Sequence, residues 1–585
     1  MADRLTTVDP LTALPPEIIL RVLDFTPISA LACLTATSSA WHQFIDDTHQ
    51  QAIYSAPSKT SQPPKKSQPL GARDFGFLTN STSFSSLFAD ITSWKDLCQL
   101  QTLLARNWAS PQPVTRESVL LVGNNAVWRF KADFKRRFFI STSYAGGLNV
   151  SDMDTGRLLW RLPSTLDTTS EGDAVRPYAH LEYQDGMAVF DREGEAVEVW
   201  QTDQEGTARG VFERVAIIDH DCDTRGFQLS YWSLVVVSTE GQGFVYNMKQ
   251  SPPKLMTHMV IEQDAVGHVD QSEDVVVYSM GTRGYHVYDK QSGERLGILQ
   301  PSHCTEKYHV QPIPRADTPL SSATLAQLYR GPVQRICPPT APRKNRLTPI
   351  QLSKGPLPNL PSDPNHIRNS EDEWGAGMLD RNSDLFIGVS RSGRVFVCSN
   401  FRKALQDGPE SLAFYSQILE CDSDGSGFDL GGWLSVRDHR IMFEIKDRVY
   451  IVALDKDNRI RVENEDGHVR ASYSLLTSSA PQLAVPVSYM ALFDDAIMTT
   501  YTTLARREHG RIAPTKAIRI ISLAPDRHGS GYSIPNVTSP WHSRWSEQAN
   551  IMASQDLSLQ LLIMLAEAGD AHEDEERVDE DNWAD

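Results

Sequence analysis

The chain has 585 residues, 40% hydrophobic and 22% charged, enough for a substantial core and free of collagen-like, fibrous or wholly disordered bias. A formal charge of -18 disfavours nucleic acid as a partner, and part of that charge sits in one terminal acidic run. No apolar run reaches the roughly 18 residues a membrane span needs, and the opening MADRLTTVDP has no signal-peptide centre, so a soluble protein of cytoplasm or nucleus is expected, without a membrane partner.

Residues 1–10 read as a tail. Between Leu11 and Tyr54 three short helical patterns follow one another, separated by breakers. Ile18, Ile19, Val22 and Leu23 recur at helical spacing behind Pro15 and Pro16, which a first turn tolerates because its amides are unpaired anyway. Thr26 is the expected N-cap of a second helix, with Pro27 at its first position and Ile28, Leu31 and Leu34 on its apolar face. Ser38 or Ser39 caps a third helix carrying Trp41, Phe44 and Ile45. So much apolar surface on so few residues cannot all be buried within the module, so part of it is expected to meet a partner.

The stretch Leu14-Pro15-Pro16-Glu17-Ile18, the Leu31/Leu34 pair and Trp41 resemble the F-box pattern LPxEI…L..L…W. The resemblance covers residues 11–54 and departs from the pattern at Ser38-Ser39-Ala40, where many members carry a Cys-Lys/Arg pair before the Trp. It implies a module that binds a Skp-type adaptor and through it a cullin. Leu14, Pro15, Ile18, Leu31, Leu34 and Trp41 would then carry that contact or its supporting core. The alternative reading of the residues is that these helices cap the large domain, with Trp41 an ordinary core aromatic.

Residues 55–83, with the run SAPSKTSQPPKKSQPLGA, read as a flexible linker because Ser, Pro, Lys and Gln cannot bury enough to fold. Residues 84–110 carry a linker helix in which Trp94, Leu97, Leu100, Leu104 and Trp108 share a stripe behind the cap Ser93. Its W…LC…L…NW pattern resembles the segment that often joins an F-box to a propeller.

From residue 111 to 540 short β-branched and aromatic runs are broken by Gly, Asp and Asn. Seven hairpins are expected, starting at Arg137, Met187, Ser233, Asp274, Asp384, Arg440 and Ala496, and except across the longer Asp274–Asp384 interval their spacing is that of propeller blades. The expected fold is therefore mainly β with an N-terminal α module: a three-helix F-box, a helical linker and a β-propeller of about seven blades, with a β-sandwich array as the alternative. VSDMDTGRLLW and VYDKQSGERLGIL resemble the inner strands of WD40-like blades, without strict Gly-His and Trp-Asp dipeptides. A Pro-rich insertion is expected at 301–370, where Arg330, Arg335, Arg343, Lys344 and Arg346 could meet acidic or phosphorylated targets. Residues 541–570 read as a helical segment and 571–585 as an acidic tail.

Chemistry is sparsely signalled. The seven cysteines (Cys33, Cys98, Cys222, Cys304, Cys337, Cys398, Cys421) form no CxxC pair and read as reduced thiols, so neither zinc nor a disulfide framework is expected. Asp422, Asp424, Ser426 and Gly427 begin like a calcium loop, but Trp433 stands where a bidentate Glu is needed. His220 between Asp219 and Asp221 reads as part of a charged loop. No cofactor, metal or catalytic residue is expected. The leading reading is a non-catalytic substrate receptor of an SCF-type ubiquitin ligase. The alternatives are a propeller scaffold outside ubiquitin transfer and a quinoprotein-like propeller enzyme, the latter because Asp152–Trp160 also resembles blade motifs of that group.

Overall fold

The computed structural model describes residues 9–56, 83–89, 91–122, 125–167, 173–192, 195–261, 268–311, 347–358, 372–406, 408–422, 433–445, 447–462, 471–478, 485–506 and 512–525. Most of the expected linker, the arginines at 330, 335, 343 and 346 with Lys344, the centre of the Asp422 loop, and all of 541–585 lie outside the described residues. The chain divides into two compact units. One comprises residues 1–115 with 493–496 and 522–533, and the other comprises the remainder.

The second unit is a seven-bladed β-propeller. Strand β1 (Arg116–Leu120) precedes blade one, which holds β2 (Val127–Asp133), β3 (Phe138–Ser143), β4 (Leu148–Asp152) and β5 (Leu158–Leu162). Blade two is β6 (Leu181–Gln184), β7 (Met187–Asp191), β8 (Ala196–Thr202) and β9 (Phe212–Asp219), and blade three is β10 (Thr224–Ser230), β11 (Ser233–Ser238), β12 (Gln242–Asn247) and β13 (Lys254–Val260). Blade four is β14 (Val269–Gln271), β15 (Val275–Ser279), β16 (Tyr285–Asp289) and β17 (Arg295–Leu299). After three short strands, β18 (Lys307–Val310), β19 (Thr348–Ile350) and β20 (Leu352–Lys354), blade five is built on β21 (Trp374–Leu379), β22 (Phe386–Ser390), β23 (Arg394–Cys398) and β24 (Ser416–Glu420). Blade six has β25 (Leu434–Arg437), β26 (Arg440–Ile445), β27 (Arg448–Ala453) and β28 (Ser472–Leu476). Blade seven has β29 (Met490–Leu492), β30 (Ala496–Arg506) and β31 (Ile512–Ser522), with β1 hydrogen-bonded beside β31 as its fourth strand.

Each expected hairpin is the second and third strand of one blade. Those strands are covered on both faces, so they read as continuous apolar runs such as Val275–Ser279. First strands such as β6, β14 and β29 are only three or four residues long, and fourth strands such as β5 are only partly covered, with one buried residue of five. Apolar clusters lie between consecutive blades: Phe138 and Val150 meet Leu181 and Phe190, and Val277 and Val287 meet Phe386 and Phe396. A blade thus gains its core only from its neighbours, which is the physical reason for the ring.

The strand-Asp-turn-Gly pattern has a local cause. The Asp152 carboxylate accepts from Asp154 N (3.0 Å) and Thr155 N (2.7 Å), and Gly156 follows at φ +69°. Asp289 repeats this with Gln291 N (3.0 Å) and Ser292 N (2.7 Å), ahead of Gly293 at φ +75°. The short side chain holds the turn closed while glycine takes the left-handed conformation that other residues resist.

The segment expected as an insertion contributes strands at its flanks. β18 runs parallel to β24 at the edge of blade five and pairs with β20, while β19 pairs with β28 at the edge of blade six. Blade five also carries two helices between β23 and β24, at Phe401–Gln406 and Pro409–Tyr415, which hydrophobic alternation gave no means of anticipating.

The first unit is helical. It holds α1 (Pro10–Ala13), α2 (Pro16–Phe25), α3 (Ile28–Thr35), α4 (Ser39–His42) continued by a π-helical stretch (Gln43–Thr48), α5 (Gln50–Tyr54) and α6 (Trp94–Ala109). Thr26 is not the N-cap of α3: its hydroxyl donates to Val22 O at 3.0 Å, closing the end of α2, and Pro27 occupies the cap. Ser38 does cap α4, accepting from Trp41 N at 3.3 Å, and Ser93 caps α6, accepting from Asp96 N at 3.1 Å. Trp94, Leu97, Leu100, Leu104 and Trp108 are all buried, as their spacing on one stripe requires. Within this unit the buried Asp495 carboxylate accepts from Phe84 N (2.8 Å), Ser85 N (3.0 Å) and Ser83 Oγ (3.0 Å), and Trp108 Nε1 donates to Asp494 O at 2.8 Å.

Candidate functional site

In α2 the apolar positions cover an arc wider than one neighbouring helix can bury, opposite a narrow face of Glu17, Arg21 and Asp24, and therefore divide. Ile19 and Leu23 are buried, whereas Ile18, Val22 and Phe25 are 50%, 56% and 75% exposed, and Leu14 just ahead of the helix is 41% exposed. At about 100° per residue, positions 18, 22 and 25 fall within about 60° of arc, so they form one outward apolar stripe. Arg21 reaches over the Phe25 ring at 5.2 Å and leaves the rest of that ring uncovered. An exposed apolar row of this kind is a candidate docking surface.

The residues singled out from the sequence do not all lie on that surface. Leu14, Pro15 and Ile18 are exposed; Leu31 is fully buried among the helices, and Leu34 and Trp41 are half-buried, Trp41 edge-on to Phe44 with centroids 6.4 Å apart. Val22 and Phe25 were missing from the set although their spacing from Ile18, four and seven residues, was the available signal. The helices behind the stripe are tied by Lys95 Nζ to Asp46 Oδ2 at 2.6 Å and by the Cys98 thiol to Tyr54 O at 3.2 Å. Burial, then the Asp46 carboxylate, holds the Tyr54 phenol well above its ordinary value.

A second constellation lies on the propeller axis. The first strands of consecutive blades touch one another from β2 through β6, β10, β14, β21 and β25 to β29, and so form the innermost ring. At the end where these strands begin, Arg129 and Lys131 of β2 flank Glu182 of β6. Lys131 Nζ lies 2.9 Å from Glu182 Oε2, His180 Nε2 lies 3.1 Å from Oε1, and Arg129 Nη1 is 3.8 Å away. The Arg129 guanidinium lies over the Trp433 indole at 4.0 Å, and Lys131 lies 4.7 Å over the Tyr489 ring. Burial lowers Arg129 to about 10 against the pull of Glu182, and burial together with Arg129 lowers His180 to about 3 and His268 to about 4. Burial would raise Glu182, but Lys131, His180 and Arg129 prevail and hold it at about 2. No motif could announce this cluster, because its members are scattered from residue 129 to 489.

His220 is a buried side chain whose Nδ1 lies 3.0 Å from Glu195 O and whose ring packs on Phe244 and Tyr246, while Asp219 and Asp221 face outward. Among the described residues no group of three or more His, Cys, Asp or Glu side chains is placed to hold a metal ion, and no helix is long and apolar enough to cross a membrane.

Residues 11–50 match the family model described as F-box-like. Solved structures similar to this chain include the computationally designed Ika8 protein (12% identity, TM-score 0.37, 68% of this chain and 98% of that one). They also include the Cps50 (Swd1) β-propeller domain of Myceliophteria thermophila (10%, 0.38, 70% and 99%) and Saccharomyces cerevisiae Sqt1 (10%, 0.37, 68% and 86%). No curated protein matches the chain in sequence. The propeller assignment stands on the seven sheets themselves. The chain carries an F-box-like domain at residues 11–50, followed by a seven-bladed β-propeller.

Proposed function

We propose that this chain is the substrate-recognition subunit of an SCF-type ubiquitin ligase, in which the F-box-like domain docks a Skp-type adaptor and the propeller holds the protein to be modified. The observation that carries the reading is the outward stripe Leu14, Ile18, Val22 and Phe25 on a domain that matches the F-box-like model. Covering one such side chain contributes roughly 1.5–3 kcal/mol before the costs of association are subtracted. The adaptor links to a cullin, and catalysis belongs to those partners. The chain itself supplies proximity, raising the effective concentration of a target lysine beside the transferred ubiquitin.

The test is co-purification from cells of the parent chain and a Leu14→Asp, Ile18→Asp variant, scoring adaptor and cullin by mass spectrometry. Both positions are exposed, so the variant should keep its fold. Recovery of both partners with the parent and at least a ten-fold loss with the variant is the expected result. Absence of the adaptor from the parent sample would sink the reading.

A further inference from the structure

We infer that the end of the propeller axis where the first strands begin captures an acidic peptide, with one Asp or Glu carboxylate against Arg129 and its flanking residues on Trp128, Tyr144 and Tyr178. The inference rests on the reading of the propeller as the target-holding unit and names where and what it holds.

The carboxylate site follows from an accounting of donors and charge. The Arg129 side chain is 9% exposed, and its Nε and Nη1 have no hydrogen-bonding partner among the described residues. Glu182 does not fill that role, because its oxygen lies 3.8 Å from Arg129 Nη1, an ion-pair distance beyond hydrogen-bond reach, while Lys131 and His180 hold the carboxylate where it is. An unmet buried guanidinium donor costs more than an ordinary lost hydrogen bond, and a planar carboxylate is the acceptor that matches its fork. Among the described residues Arg129 and Lys131 face one carboxylate, Glu182, and the two histidines beside them are neutral, leaving an excess of one positive charge; Lys516, whose Nζ donates to the Tyr144 hydroxyl at 2.6 Å, has Glu444 as its own neighbouring carboxylate. Asp270 does not offset this: it accepts from Leu379 N at 2.6 Å and has Arg381 as its own neighbouring cation. A single excess charge suits a monoanion better than a phosphate dianion.

The peptide class follows from the aromatic surface beside it. Trp128 precedes Arg129 on β2. Tyr144 N donates to Ala126 O at 3.0 Å and Tyr178 N to Ser143 O at 3.3 Å, which brings both tyrosines to the same end of blade one. The three rings pack edge to face with centroids 5.1, 5.5 and 5.2 Å apart, too close to enclose a cation between them. They offer instead a rigid outer surface, with Tyr178 54% exposed and held at φ +56°. Trp and Tyr next to a desolvated Arg are the residue types that dominate binding energy at protein interfaces.

The experiment selects a displayed library of random dodecapeptides on the purified full-length chain and measures the winners by fluorescence polarisation. Arg129→Gln and Tyr178→Ala variants are run alongside, and thermal melts check each fold. Expected are winners that share an Asp or Glu at one position, lose at least ten-fold on its change to Asn or Gln, and lose at least ten-fold on Arg129→Gln and at least three-fold on Tyr178→Ala. Winners without a shared acid, or equal affinity for parent and Tyr178→Ala, overturn the site. Ten-fold tighter binding when phosphoserine replaces the acid overturns the carboxylate assignment in favour of a phosphate. Adaptor co-purification is scored separately, so loss of peptide binding with the adaptor retained rejects this site and leaves the proposed function standing.

Discussion

At the scale of single residues the axis shows how burial redirects ordinary side chains. Asp270 is pushed up by burial to about 7, beyond what the amides bonded to it and Arg381 can offset. The folded protein therefore keeps a proton that the unfolded chain releases above 3.8, so this group lowers stability as pH rises between 3.8 and about 7. Its full weight is up to about 4 kcal/mol above that window. Asp270→Asn, which keeps an acceptor for Leu379 N, should thus be more favourable relative to the parent at pH 8 than at pH 5, by a measurable part of that figure. Urea unfolding at the two pH values checks it, and an identical difference at both would remove Asp270 as the cause. Of the six residues marked from the sequence as the contact or its supporting core, Leu14, Pro15 and Ile18 lie exposed, a division that the motif itself does not state. Leu31 turned inward because a motif position says that a residue matters without saying which way it points. Arg129 and Glu182 were illegible, since their significance arises only when strands from different blades converge.

At the scale of elements, the middle strands of each blade were legible because both of their faces are covered, and that same packing makes them intolerant of added volume. A Cβ on Gly388 of β22 would lie 2.3 Å from the Tyr285 hydroxyl, which is buried and donates to Ala376 O at 3.1 Å. Gly388→Ala should cost about 1–3 kcal/mol by forcing β16 and β22 apart, seen as a lowered denaturation midpoint with an unchanged slope. Edge strands were harder to read for the opposite reason. β19 and β20 are three residues each in a proline-bearing context, and only their pairing partners make them strands. The split of α2 into buried and outward apolar faces was equally hidden, because an apolar arc wider than half the helix has no preferred side until its neighbours are placed.

At the scale of the whole molecule the ring is closed by β1, and the closure is electrostatic as well as hydrogen-bonded. Arg519 on β31, with a side chain 2% exposed, donates from Nε to Glu117 Oε1 of β1 at 2.8 Å and from Nη1 to Leu476 O at 2.8 Å, with Tyr501 under its guanidinium. Glu117→Ala leaves that charge poorly compensated and should cost about 3–5 kcal/mol, whereas pairing it with Arg519→Met should recover most of the loss. Denaturation of the two variants side by side decides between an ion-pair role and mere packing. The repeat spacing of the hairpins carried the blade number, but nothing in Arg116–Leu120 as a string of residues marks it as a fourth strand for the far end of the chain.

That closure has a consequence for synthesis. About 390 residues separate β1 from β31, so at 5–20 residues per second the first strand waits roughly 20–80 s for the neighbour that completes its sheet. The helical unit waits as well, because Asp495, which gathers Ser83, Phe84 and Ser85, emerges almost as late. A nascent chain therefore exposes an unpaired strand edge and an unfinished helical unit together, and a message truncated before codon 495 would yield a product in which neither can be completed.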